Sequence, residues 1–146
     1  MFRTGSFFNL DYIYSTLSDI NGECPLNFEE FGKTDSKFIS VATNADTGAA
    51  EYFDNTTVTK DNLWCIKASC AMPVACKPFM HNGKRYADGG VAAPIPIEKA
   101  IEMGCDKVYV IIPRPVLQKN REFSYMMKPF LKDTPKILEL MKKRPE

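Results

Sequence analysis

The sequence is poor in the residues from which metal centres and disulfide frameworks are built. His81 is its only histidine, which excludes a mechanism that needs two imidazoles and argues against a zinc site. The five cysteines are an odd set without a CxxC pair, so they predict neither a metal cluster nor a disulfide framework. We therefore expect no bound metal.

Long hydrophobic runs are also missing. No apolar stretch approaches the ~18 residues of a membrane-spanning helix. The first residues, MFRTGSFFNLDYIY, lack the apolar run of ~7 to 15 residues found in a signal peptide. Together with the cysteine pattern, these absences predict a reduced, soluble, cytoplasmic protein.

Charge is nearly balanced over the whole chain but not along it. The formal net charge of +1 gives no bulk attraction to nucleic acid, and we expect no such partner. From Arg114 to the end there are nine Lys or Arg against four Asp or Glu, whereas residues 1–113 have ten against fourteen. The favoured interpretation of this basic tail is a solvated helix face, and the alternative is peripheral contact with an acidic membrane.

The length and composition fit one globular domain. A chain of 146 residues with 45% hydrophobic and 25% charged residues can bury a core and is not typical of disorder. We divide it into a helical cover (1–36), a region containing the sheet (37–112) and a basic helical tail (113–146).

Turn signals predict two β-hairpins. KFISVATN (37–44) and AAEYFD (49–54) are rich in strand formers and are joined by a turn. Asn82-Gly83 lies between two extended runs, and a tight primed turn needs the positive φ that these residues tolerate. Helices are predicted at 10–19, after Asn27, at 62–71 and after Pro96, the last ending at Gly104.

The run Val108–Ile112 determines the predicted architecture. It is apolar on both faces, as in an interior strand of a parallel or mixed sheet covered by helices. It also follows a helix and Gly104, an order typical of α/β proteins. We expect a three-layer α/β/α fold with a mixed, mainly parallel central sheet.

Asp88 is the main candidate for chemistry. In KRYADGGVAAPIP it follows a predicted strand directly and precedes Gly89 and Gly90, so it is either a turn residue capping the next loop or a catalytic base. The two glycines can adopt positive φ and allow close approach of the backbone. Arg114 lies between two prolines after the predicted strand, where it could meet a phosphate or carboxylate group; a surface arginine is the simpler alternative.

Residues 66–115 resemble the second half of a patatin-like phospholipase domain, and SVATNADTGAAEYF before them resembles its bacterial branch. The matching pieces are Ala68-Ser69, Met72-Pro73, Tyr86, Asp88-Gly89-Gly90, Pro94, Pro96, Ala100 and Gly104. The resemblance implies a serine acyl hydrolase with a Ser/Asp dyad, no histidine and no cofactor, acting on a lipid ester or phospholipid. It makes Asp88 the dyad aspartate. From their places in the chain, we expect Gly89, Gly90 and Arg114 to border the substrate.

Two parts of the family pattern are missing from the chain. None of the seven serines lies in a GxSxG nucleophile elbow, and no glycine-rich oxyanion loop precedes Asp88. Ser69 is better explained as a buried hydroxyl at a helix end. We therefore expect an incomplete, C-terminal part of the domain that carries the aspartate, lacks the nucleophile and is inactive alone; the alternative is a non-catalytic interaction or scaffold domain.

The missing half also predicts an oligomer. The resemblance places the strand that carries the serine in the middle of the sheet, so its loss would leave edges such as Val108–Ile112 unpaired. Because unpaired apolar edges recruit other strands, we expect a homo-oligomer.

Overall fold

The computed structural model describes residues 6–59, 62–112 and 131–143, which combine short helices with one four-stranded sheet. The helices are a π-helix (Tyr12–Leu17), α1 (Phe28–Lys33), α2 (Trp64–Ser69), α3 (Ile97–Glu102) and α4 (Pro135–Lys143). The strands are β1 (Ile39–Asn44), β2 (Ala50–Asp54), β3 (Phe79–His81) and β4 (Lys84–Asp88).

The sheet has the order β2-β1-β4-β3, and all of its pairs are antiparallel. The prediction of a mainly parallel sheet is therefore wrong for the described residues. β1–β2 and β3–β4 are hairpins, and a short turn can join only antiparallel strands, because a parallel pair needs a long crossover. The two hairpins meet along β1 and β4, where Ala42 lies opposite Asp88.

Both predicted hairpins are confirmed. Asn82 has φ 47° and Gly83 has φ 75°, the two positive values that a primed two-residue turn requires. The first hairpin pairs Ile39 with Asp54 and Thr43 with Ala50. These turns place the end of β4, and with it Asp88, in the interior of the sheet.

The interior strand predicted at Val108–Ile112 is not present. This segment belongs to no strand, and its exposed fraction ranges from 39% at Val108 to 93% at Ile111. The preceding helix α3 has no buried residue either. An apolar run can become an interior strand only if other strands pair with it. Among the described residues, no strand pairs with Val108–Ile112. Arg114 and the 113–130 part of the predicted tail lie outside the described residues.

Both faces of β4 are covered. Successive side chains of a strand point to opposite faces, so Tyr86 packs with Ala42 and Ala68 on the α2 side. Ala87 packs on the other side in a cluster that includes Ile137 of α4. A third cluster, Val58, Leu63 and Cys65, receives aromatic side chains from the π-helix and α1. The end of β4, at Asp88, is thus held between packed layers.

Two predicted helix termini are confirmed, one by a capping hydrogen bond and one by its backbone conformation. The Asn27 side chain accepts a hydrogen bond from the Glu30 N–H at 3.1 Å and caps α1. Gly104, at φ 87°, follows α3 in the left-handed conformation common after helices. No helix within the described ranges combines the length and apolar content needed to cross a bilayer.

Candidate functional site

Asp88 is the last residue of β4, and its backbone is fixed from two directions. Its N–H donates to the carbonyl oxygen of Ala71 at 2.9 Å, which ties it to the loop after α2. Its own carbonyl accepts from the hydroxyl of Thr43, on β1, at 2.8 Å. A half-buried carboxylate is therefore held at a rigid strand end, as the sequence predicted for its position.

The carboxylate itself is oriented by the next turn. Oδ1 of Asp88 accepts a hydrogen bond from the Gly90 N–H at 2.7 Å and caps the short 3₁₀ turn Gly89–Val91. The capping role weighed in the sequence analysis is thus real. It does not exclude chemistry, because a base in an active site is commonly held in place by just such a fixed partner.

The two glycines are required by close contact and not by backbone conformation. Neither has positive φ, so that part of the expectation is wrong. A Cβ at Gly89 would lie 2.6 Å from the carbonyl carbon of Val41 and closer still to its oxygen. A Cβ at Gly90 would lie 2.9 Å from Oδ1 of Asp88, pressing directly on the carboxylate. The Asp-Gly-Gly triplet is therefore a tightly packed unit against β1.

Thr43 belongs to this unit, although sequence reasoning did not single it out. The residue is fully buried, and its hydroxyl donates to Asp88 and accepts from the Ala92 N–H at 3.1 Å. It therefore clamps the chain on both sides of the turn. A threonine within a strand is too common for the sequence alone to have shown this.

The loop facing Asp88 carries backbone strain. Val74 has φ 75°, an unusual conformation for a β-branched residue. Burial raises the pKa of the nearby Cys76 thiol, and the negative charge of Asp88 adds to that rise. Strained backbone occurs preferentially at functional sites, so the strain at Val74 favours a functional role for the region around Asp88.

None of the serines within the described residues lies in a GxSxG elbow, and four of them form hydrogen bonds to groups other than Asp88. Ser69 ends α2, as its simpler interpretation predicted, but it is half buried and not fully buried. Four hydroxyl groups have hydrogen-bond partners of their own: Ser6 with the Lys77 N–H, Ser15 with Lys67, Ser18 with the Ile13 carbonyl and Ser40 with the Cys65 carbonyl.

Two cavities within the described residues do not include Asp88 in their lining. One of about 160 Å³ is bordered by Phe8 and Cys76, and one of about 260 Å³ lies between the π-helix and α2. Asp88 lines neither. Over the described ranges, no group of three or more His, Cys, Asp or Glu side chains could hold a metal ion.

Comparison with known families identifies the class of protein. The family model for Patatin-like phospholipase matches residues 1–101, well over half of the chain. The match includes both hairpins and the Asp-Gly-Gly turn, and it reaches further towards residue 1 than the resemblance over 66–115. The chain belongs to the patatin-like phospholipase family, a family of lipid hydrolases.

Proposed function

We propose that this chain supplies the aspartate of a Ser/Asp dyad in a patatin-like acyl hydrolase, and that the serine comes from outside these 146 residues. The observation that carries the proposal is Asp88 itself: a carboxylate at the end of an interior strand, anchored by Ala71 and Thr43 and oriented by Gly90. The substrate is a lipid ester, with phospholipids included.

In this mechanism, Asp88 acts as a general base and then as a general acid. As the serine hydroxyl attacks the ester carbonyl, a carboxylate held beside it takes up the hydroxyl proton and returns it to the leaving alcohol. No histidine is needed. The ring of His81 is stacked on Trp64 with centroids 3.8 Å apart, so it serves the packing of β3 against α2.

In this proposal, Gly90 borders the carboxylate where the ester group passes, and Gly89, expected at the same border, is instead buried against Val41 and lets the turn pack on β1. Arg114 pairs with the phosphate of a phospholipid. Since a missing oxyanion-hole donor alone costs ~10² to 10³ in rate, the isolated chain does not hydrolyse esters.

A reactive fluorophosphonate probe tests the missing nucleophile. The isolated chain should label no more than its heat-denatured control. Specific labelling would contradict the proposal, and its loss in Ser69→Ala would locate the serine on α2.

Co-expression with a polypeptide that carries the GxSxG half of a patatin domain tests the aspartate. The mixture should hydrolyse p-nitrophenyl butyrate, and Asp88→Asn should abolish this activity. Asp54→Asn is the matched control, because Asp54 also ends a strand and caps a 3₁₀ turn, accepting from the Thr56 N–H at 3.0 Å. If the two variants behave alike, or if the parent mixture is inactive, the scaffold alternative is favoured.

We also propose that the chain forms a homo-oligomer through the exposed segment Val108–Ile112. Exposed apolar runs rich in β-branched residues readily add to a second copy of the same strand. Ile111→Lys should give monomers in sedimentation velocity, whereas Ile20→Lys, at another exposed isoleucine, should not. A monodisperse parent monomer would refute this. The cytoplasmic location and a contact of the basic tail with membranes stay predictions.

A further inference from the structure

The cavity of about 260 Å³ is lined by one cation, one carboxylate, three hydroxyl-bearing residues and two apolar residues. Its lining includes Lys67 of α2, Ser15 of the π-helix and the apolar side chains Phe28 and Leu63. A π-helical turn is uncommon in proteins and occurs frequently at functional sites. Lys67 and Ser15 form a polar end of the lining, and Phe28 and Leu63 form an apolar end.

Lys67 forms the polar end. Its side chain is only 14% exposed, and its ammonium group donates to Oδ1 of Asp11 at 2.6 Å and to Oγ of Ser15 at 2.9 Å. An ammonium group has three N–H donors, so within the described residues one remains for a ligand. Because the Ser15 oxygen already accepts from Lys67, the serine O–H can turn towards the same ligand.

Two uses of this Ser–Lys contact can be distinguished. A lysine that activates a serine as nucleophile must lose its proton. Here the ammonium group donates to both Asp11 and Ser15, so the contact is that of a hydrogen-bond donor and not of a base that accepts the serine proton. The arrangement instead offers two donors to an anion.

We propose that this cavity binds a short-chain monocarboxylate, whose carboxylate replaces Asp11 at Lys67 and accepts a hydrogen bond from Ser15. Its alkyl chain lies against Phe28 and Leu63. Asp11 is the partner that can leave, because its side chain is 78% exposed and its carboxylate is solvated by water on release, whereas Lys67 is only 14% exposed. The site is separate from Asp88 and goes beyond the proposed function.

Charge and size restrict the ligand class. Asp19 also lines the cavity, and its carboxylate opposes a second negative charge on the ligand, as in phosphate or dicarboxylates. The cavity lies just below the ~300 to 1,000 Å³ of typical small-molecule sites, which favours a chain of a few carbons.

An NMR titration tests the proposal directly. ¹⁵N-labelled chain is titrated at constant ionic strength with sodium hexanoate and, separately, with neutral hexanamide. Hexanoate should bind about tenfold more tightly, as expected for a charge-assisted contact, with the largest amide shifts at Tyr14, Ser15 and Lys67. Equal affinities, or shifts confined to other surfaces, would overturn the proposal.

Three variants locate the binding. Lys67→Met should reduce hexanoate affinity to that of hexanamide, and Ser15→Ala should weaken it about threefold to tenfold. Asp11→Asn should tighten it about twofold to fivefold, because the competing carboxylate is removed. Lys33→Met, at an exposed lysine paired with Glu29, is the matched control and should change nothing.

The Asp11 variant separates binding from a merely structural ion pair. If the Lys67–Asp11 pair only holds the π-helix in place, Asp11→Asn lowers the melting temperature and does not tighten binding, and the proposal fails. Asp11 and Ser15 are exposed, so their variants decide the matter even if Lys67→Met unfolds the chain. No ester is present in the assay, so its outcome is independent of the Asp88 dyad.

Discussion

Replacing Gly89 with alanine tests the packing on which the Asp88 site depends. The new methyl group would overlap the backbone of Val41, lying 2.6 Å from its carbonyl carbon. Neither partner is a flexible side chain, so β1 and the turn after β4 must move apart. The same movement would strain the hydrogen bonds of Thr43 to Asp88 and Ala92.

We expect Gly89→Ala to lower the free energy of unfolding by about 3 kcal/mol, the upper part of the range for overpacking in a well-packed interior. At this chain length, that corresponds to a fall in melting temperature of roughly 6 to 12 °C. Gly32→Ala is the matched control, because nothing lies within 4 Å of its added Cβ and it sits in α1. The control should be stabilised by about 0.5 to 1 kcal/mol.

Urea unfolding followed by far-UV circular dichroism measures both variants against the parent. The result that would refute the reasoning is a Gly89→Ala protein that unfolds at the parent's urea midpoint. Such a protein would show that the turn can relax away from β1 at no cost, and that the close approach does not fix Asp88.

Three further perturbations test other parts of the structure. Tyr86→Phe removes a hydroxyl that donates to Glu51 at 2.9 Å and should cost about 1.5 to 3 kcal/mol in urea unfolding. Burial raises the pKa of Tyr86 from 10.0 to about 12. The contribution of the protonated Tyr86 hydroxyl to stability is therefore complete below pH 10 and is lost as the pH rises towards 12. Tyr86→Phe should lose less stability than the parent over that range. Hydrogen bonds from Lys143 and Lys136 lower the pKa of Glu139 from 4.5 to about 2. The contribution of the Glu139 carboxylate to stability is therefore present above pH 4.5 and is lost as the pH falls towards 2. Glu139→Gln should reduce this loss when stability is measured in an acid titration. Ile137→Ala, at a buried site, should cost about 2 to 5 kcal/mol in the same urea assay, whereas Ile101→Ala, at an exposed one, should stay within about 0.5 kcal/mol.

Local signals in the sequence predicted local structure well. Asn82-Gly83 determined a hairpin because few residues tolerate the required φ, and Asn27 capped α1 through its own side chain. Each of these features depends on residues that are close in the chain. Such dependence is visible in one sequence.

Features that depend on distant partners were not predicted correctly. Val108–Ile112 has the composition of an interior strand, but composition does not state whether neighbouring strands are present to pair with it. A close backbone approach at Gly89 was predicted, but its partner was not, because the carbonyl of Val41 is brought to it only when β1 and β4 pair. For the candidate site, the sequence predicted Asp88 at a strand end, but it did not predict the hydrogen bonds that join Thr43 to Asp88 and Ala92.

The stacking of Trp64 on His81 gives the molecule a built-in optical reporter. These residues are the only tryptophan and the only histidine of the chain, and their rings lie nearly parallel, with an interplanar angle of 7°. Indole emission therefore comes from a single place, the junction between α2 and the second hairpin. A change in its wavelength signals that this junction has opened, so one fluorescence trace can follow the strand that ends in Asp88.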